Sequence, residues 1–141
     1  DWSADLSSSD LARQAANPTV TLVTQSLLLL REIGVEDPSR VLQTLVGASV
    51  SNTMESGPEA LTGPVSRGDV STVAAHIEAL AEHATDSGST EIIESYRTLS
   101  QATARSALDL GRIGEAEMIS LLEVLAEPGA GSPGTEPEGK S

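Results

Sequence analysis

The chain has 141 residues, 38% of them hydrophobic and 1% aromatic, and it carries a formal net charge of −13 at pH 7. This length fits one domain with an aliphatic core, and the negative charge disfavours nucleic acid and anionic lipid as partners. The complete lack of Cys excludes disulfides, thiolate metal sites and a cysteine nucleophile.

The N-terminal segment, residues 1–10, is polar and rich in serine, and we predict a connector there. Because the chain opens with Asp1 and not with Met, we expect it to begin after processing or inside a longer polypeptide. The longest apolar run, residues 26–30, is far shorter than the roughly 20 residues of a transmembrane helix. We therefore predict a cytoplasmic protein with no membrane partner.

The first helix has two possible starts. Residues 11–16 can form a turn or two of helix, after which Asn17 can cap a fresh helix with Pro18 in its first position. This fresh helix would run to about Ile33. The alternative is one longer helix that is kinked at Pro18.

Further helices are indicated by caps, glycine stops and apolar residues at three-and-four spacing. Three glycines and two prolines in residues 57–69 predict a shaped loop with room for one helical turn. No segment alternates like a strand. The predicted helices span residues 38–56, 70–85, 90–110 and about 115–126.

The sequence thus predicts an all-α fold, a bundle of about five helices. The helical domain spans residues 11–126 and follows the connector of residues 1–10. Residues 127–141 are rich in Pro, Gly, Ser and Glu, and we expect this acidic tail to be disordered.

The chain lacks the motifs that bind nucleotides. No Gly-x-Gly-x-x-Gly stands between a strand and a helix, so we expect no dinucleotide to be bound by this chain alone. His76 and His83 lie seven residues apart, whereas zinc sites on a helix usually use a spacing of four. We expect them to flank the buried stripe and predict no metal site. A stand-alone metal or hydrolytic enzyme using these histidines is a weaker alternative.

Two polar features of the first helices stand out. Arg13 and Asn17 are one helical turn apart if the helix continues through them, which would aim a cation and an amide at one place. The alternative is a surface arginine beside a capping asparagine. Asn52 lies on a helix near the shaped loop. The sequence is equally consistent with a site residue and with a solvent-facing asparagine at this position.

The third feature is the segment of residues 61–69, Leu-Thr-Gly-Pro-Val-Ser-Arg-Gly-Asp. It combines backbone-shaping residues with a hydroxyl, a guanidinium and a carboxylate. Taken by themselves, these residues indicate a structural loop in which Arg67 and Asp69 bond to backbone groups and to one another. Asp69 should also cap the following helix.

Residues 60–69, followed by Val73 and by residues 76–80, resemble the signature stretch of a known family. Its members are Rossmann-like NAD(P)-binding oxidoreductases whose helical C-terminal domain, a domain of unknown function, is related to the 6-phosphogluconate dehydrogenase C-terminal-like domains. The resemblance covers roughly residues 11–110. Other stretches in family-like order are 16–17, 20–23, 34–38, the Asn52 region, 96–99 and 102–103.

The resemblance implies that a missing N-terminal Rossmann domain of the same protein holds NAD or NADP. The helical domain would close the substrate cleft over a small oxo or hydroxy acid, such as a ketopantoate-like one, and would form a homodimer. A cleft arginine suits such a substrate because guanidinium binds carboxylates in a fork. The cleft positions implied by the resemblance are Asn17, Asn52, Thr62, Gly63, Pro64, Arg67 and Asp69.

The chain departs from the family pattern around Asn17. Family members often have His before this asparagine and an aromatic residue or His after it, whereas here Arg13 and Gln14 precede it and Pro18 follows. Arg13 and Gln14 could take over binding, but arginine is a poor general acid at neutral pH. The alternative function is therefore a non-catalytic helical interaction or dimerisation module. In either case we expect no turnover by this chain alone.

Overall fold

The computed structural model describes residues 7–129, which are helical and contain no strand. Five α-helices follow one another, as the sequence predicts, and two 3₁₀ turns lie between the second and the third. The helices are α1 (Ser8–Glu32), α2 (Pro38–Ser56), α3 (Val70–Ser87), α4 (Glu91–Asp109) and α5 (Glu115–Leu125). The 3₁₀ turns span Gly57–Ala60 and Val65–Arg67. Most of the predicted tail, from residue 130 onwards, lies outside the described residues.

The chain divides into two compact units, Asp1–Ala60 and Leu61–Ser141. The first unit holds α1, α2 and the first 3₁₀ turn. The second holds the other turn and the three remaining helices. No helix among the described residues has the length and hydrophobicity that a membrane span requires.

Helix α1 is continuous through Asn17, so the predicted fresh start at this residue is wrong and the longer helix is correct. The helix begins instead after Ser7, which forms a stronger start signal together with Asp10. The Asp10 amide donates to Ser7 Oγ (3.2 Å) and the Ser7 amide donates to Asp10 Oδ2 (3.2 Å), which together form a capping box. Helix therefore begins within the predicted connector, and Pro18 lies in the helix interior.

Helix α2 begins and ends where the sequence predicts. The Asp37 carboxylate accepts a hydrogen bond from the Arg40 amide (3.2 Å), and Pro38 occupies the first turn, where a missing N–H leaves no hydrogen bond unmade. Gly57 follows the helix with a φ of +61°, a backbone conformation that ends helices and favours glycine.

The first unit buries very little apolar surface. Among its described residues only Pro38 is buried, and α1 has no buried residue at all. The apolar stripe predicted along α2 is largely exposed, since Val41, Leu45 and Val50 are 42%, 61% and 45% exposed. These two helices thus leave much of their aliphatic surface in solvent.

The second unit contains the hydrophobic core. The stripes predicted for α3, α4 and α5 meet there, and the small Ala104 and Ala107 let neighbouring helices come close to α4. Val73, Leu121 and Leu125 are fully buried. The cluster consists of Val65, Val73, Ala104, Ala107, Ile113, Met118, Leu121 and Leu125.

Candidate functional site

Residues 61–69 form the loop that begins the second unit and leads into α3. Gly63 and Gly68 have φ angles of +103° and +69°, which L side chains rarely adopt. Ser66 Oγ donates to the Gly63 carbonyl (2.9 Å) and the Asp69 amide donates to the Pro64 carbonyl (2.9 Å). Internal hydrogen bonds therefore fix the shape of this loop, which we call the 61–69 loop.

The corner between α4 and α5 holds the 61–69 loop at both ends. The Arg112 guanidinium donates a hydrogen bond to the Leu61 carbonyl. At the other end, Gly68 lies against the side chains of Ile113 and Glu117. The loop is thus fixed by the core of its own unit as well as by its internal hydrogen bonds.

Asp69 caps α3, as the sequence predicts. Its carboxylate accepts hydrogen bonds from the Thr72 hydroxyl (2.7 Å), the Thr72 amide (3.1 Å) and the Ser71 hydroxyl (3.0 Å). These bonds, led by those from Thr72, lower the pKa of Asp69, and the charge of Arg67 lowers it further. A carboxylate held in this way is a structural cap and a poor proton donor or acceptor.

Arg67 and Thr62 are the exposed polar side chains at the candidate positions of the loop. Arg67 acts on Asp69 through its charge, and the hydrogen bonds of Asp69 go to the first turn of α3. The predicted direct bond between Arg67 and Asp69 is therefore not formed. As a result, the Arg67 guanidinium is open to solvent on a backbone of fixed shape.

The candidates in the first unit lie on exposed helix surface. Because α1 is continuous, Arg13 and Asn17 are one turn apart, but the Arg13 guanidinium is paired with Asp10 Oδ1 (2.9 Å) in the preceding turn. Asn17 does not cap a helix, since it lies inside one. Asn52 is exposed on α2, in agreement with the solvent-facing interpretation.

The eight sequence candidates fall into the two units. Arg13 and Asn17 belong to α1 and Asn52 to α2. The other five come together in the 61–69 loop: Thr62, Gly63, Pro64, Arg67 and Asp69. Only this second group forms a local arrangement with defined geometry.

A polar contact that the sequence did not predict links α3 to α4. His76 Nδ1 and Tyr96 Oη are 2.9 Å apart, and the two rings meet edge to face with centroids 5.8 Å apart. Burial raises the pKa of Tyr96, and a hydrogen bond with Ser100 opposes this shift. His76 is thus an exposed residue that bridges two helices.

Two further residues, Arg112 and Glu117, contact the loop from the corner between α4 and α5. Arg112 contacts a residue 51 positions away, and His76 contacts one 20 positions away, so no local pattern signals either contact. Within residues 7–129, no three His, Asp or Glu side chains are grouped to hold a metal ion.

Comparison with known proteins identifies a family but no close relative. No curated protein and no solved structure matches the chain. The family model for a domain of unknown function, DUF2520, matches residues 12–103, which is more than half of the chain. This range includes the 61–69 loop and all eight candidate residues. The chain therefore belongs to the DUF2520 family.

Proposed function

We propose that the chain is the C-terminal helical domain of a cytoplasmic NAD(P)-dependent oxidoreductase of the 6-phosphogluconate dehydrogenase C-terminal-like superfamily. It closes the substrate cleft over a small oxo or hydroxy acid, such as a ketopantoate-like one, and mediates homodimerisation. NAD or NADP is bound by a Rossmann domain that lies N-terminal to this chain in the same protein.

The observation that carries the proposal is the presentation of Arg67. Arg67 is exposed on the 61–69 loop, whose backbone is held by internal hydrogen bonds and by the Arg112 bond. Guanidinium binds a carboxylate through two parallel hydrogen bonds, and a fixed position reduces the entropy lost on binding. In a chain of net charge −13, a cation on a loop of defined backbone shape is a place where an acid can bind.

The cofactor belongs to another part of the protein in this proposal. A Rossmann site needs a parallel sheet and a glycine-rich turn, and residues 7–129 contain no strand. Residues 7–129 therefore do not form a Rossmann site by themselves, and in this proposal the chain contributes to the substrate cleft and to dimerisation.

Substitution of Arg67 in the natural, full-length product tests the proposal. Arg67→Ala should raise KM for small 2-oxo acids by about 10- to 100-fold, because one charge-assisted contact contributes that much affinity. Arg67→Lys should recover only part of the loss. NADH or NADPH should raise the melting temperature of both variants as much as that of the wild type.

Arg105→Ala is the matched control, because Arg105 is exposed on α4 outside the loop. Its KM should equal that of the wild type. A natural product that neither cofactor stabilises and that reduces no 2-oxo acid would contradict the oxidoreductase proposal. An unchanged KM in Arg67→Ala would contradict the role of Arg67.

The second candidate function is a non-catalytic helical interaction module. The observation in its favour is the exposed aliphatic surface of α1 and α2, together with Pro18 beside Asn17. This function predicts self-association without any effect of NADH or NADPH on the melting temperature, so the same thermal measurement separates the two candidates.

A further inference from the structure

Long stretches of α1 and α2 are exposed and carry no charge. Residues 14–30 of α1 and residues 41–54 of α2 contain no Asp, Glu, Lys or Arg, although 21% of the whole chain is charged. Val20 is 66% exposed and Met54 is 82% exposed. We call these two stretches the charge-free surface. Charged residues are depleted in this way at the centres of protein interfaces.

Apolar residues form a stripe along α1 that begins at Ala12, just before the charge-free surface. Its spacing of four, four, three and four residues keeps it on one side of the helix. On α2 a row of uncharged residues has a spacing of four, three and four, and its apolar side chains are Val50 and Met54. The α1 stripe consists of Ala12, Ala16, Val20, Val23 and Leu27, and the α2 row consists of Gln43, Gly47, Val50 and Met54.

The α1 stripe and the α2 row border an apolar groove of about 320 Å³ between α1 and α2. Val23 and Leu27 line it from α1, and Leu42 and Val46 line it from α2. Gly47 widens it, since a β-carbon there would meet no atom within 4 Å. A groove of this kind accepts the side chains of a packed helix.

The first half of α1 needs such a partner. Every described residue from Ser8 to Leu22 is exposed. A helical segment of about 15 residues is only marginally stable in water when no other part of a protein packs against it. Pro18 removes one backbone hydrogen bond, and the Thr19 and Thr24 hydroxyls bond back to helix carbonyls, which weakens the helix further.

Charge decides which partner fits. Two copies of a chain with a net charge of −13 repel each other wherever acidic faces meet. An interface with twofold symmetry brings the same residues of both copies together, so it must be complementary to itself. A patch of a single charge sign fails this condition, whereas a charge-free apolar patch meets it. A second copy of this chain is therefore the partner that the charge-free surface fits.

We propose that the charge-free surface is the homodimer interface, with the first half of α1 from one copy packed into the groove of the other. The two α1 helices run antiparallel and meet at Val20, the middle residue of the stripe. This inference rests on the dimerisation in the proposed function and names the surface that performs it.

Charged substitutions test the inference in the natural, full-length product. Val20→Asp and Met54→Asp each place an unpaired charge in the interface, and each should raise the dimer dissociation constant at least tenfold. Both residues are exposed in one copy, so neither change disturbs its packing. Ile119→Asp is the matched control, since Ile119 is 59% exposed on α5. Light scattering across a concentration series measures association, and circular dichroism checks folding.

A cross-linking measurement decides the matter even if a charged variant fails to fold. The chain has no Cys, so once any Cys outside this chain in the natural product is replaced by Ser, Val20→Cys can form a disulfide only between copies. A covalent dimer of Val20→Cys, but not of Ile119→Cys, supports the inference. A dimer that survives both charged substitutions, without the Val20→Cys cross-link, overturns this surface and leaves dimerisation standing. If the wild type is monomeric, both this interface and the proposed dimerisation are wrong. Cofactor binding still tests the enzyme proposal separately.

Discussion

Gly68 lies so close to Glu117 that a β-carbon on Gly68 would stand 3.1 Å from Glu117 Cγ and 3.2 Å from Glu117 Cβ. The φ angle of Gly68, +69°, is also one that L side chains rarely adopt. Two independent features therefore favour glycine at position 68: the φ angle of the backbone and the close approach of Glu117 on α5.

Gly68→Ala should lower the free energy of unfolding by more than backbone strain alone, which costs roughly 1–3 kcal/mol. Gly88→Ala is the control, because Gly88 has nearly the same φ, +70°, with nothing within 4 Å of the added carbon. Urea denaturation of both variants separates the steric contribution from the strain. Equal losses would contradict the tight contact with Glu117.

Arg112→Ala should loosen the first residues of the 61–69 loop, because the Leu61 carbonyl loses its donor. We expect a loss of about 1 kcal/mol in stability, the usual net contribution of one hydrogen bond. Hydrogen exchange should become faster in the loop amides and stay unchanged in α5. Arg105→Ala should leave exchange in the loop as it is, and faster exchange in that variant too would argue against a specific role for Arg112.

Asp69→Asn should reduce the dependence of stability on pH. The pKa of Asp69 is lowered from its ordinary value of 3.8, so its contribution is complete above that value and is lost as the pH falls through the lowered pKa. Asn also caps helices but does not titrate. Melting temperatures at about pH 7 and pH 3 should therefore differ less in this variant than in the wild type.

Asp86→Asn is the matched control for this titration, since it removes the same charge near the other end of α3. Asp86→Asn still has the Asp69 cap, so its stability should fall in acid as much as that of the wild type. A wild-type pH dependence in Asp69→Asn would show that other carboxylates are responsible.

Leu121→Ala should lower the free energy of unfolding by about 2–5 kcal/mol, because a fully buried side chain leaves a cavity in the core. Ile119→Ala, two residues away on the same helix, should change it by less than about 0.5 kcal/mol because Ile119 is largely exposed. Chemical denaturation monitored by circular dichroism gives both values. Similar losses in the two variants would contradict the packing of α5.

Local signals in the sequence predicted most helix boundaries. Asp37 with Pro38, and Asp69 before α3, are caps that act on residues only three positions away, so sequence alone reveals them. The start of α1 differs from the prediction because the Asn17–Pro18 pair has the pattern of a helix start. The capping box at Ser7 begins the helix ten residues before Asn17.

The candidate site was only partly predictable for a related reason. The glycines and prolines of residues 61–69 indicate a shaped loop, and the loop has such a shape. Its supports, Arg112 and Glu117, come from a distant corner of the chain, and tertiary packing alone brings them to the loop. The exposure of Val41 and Leu45 could not be predicted from the sequence either, because an apolar stripe does not reveal which surface it contacts.

Helix α5 provides Met118, Leu121 and Leu125 to the core, yet the stretch shared with the family ends at residue 103, inside α4. A protein cut at that boundary would lose the end of α4 and all of α5, and the apolar sides of α3 and α4 would face water. Such a fragment would be prone to aggregation, whereas one that ends after Leu125 keeps this core whole. The family boundary and the folding unit are thus different segments of this chain.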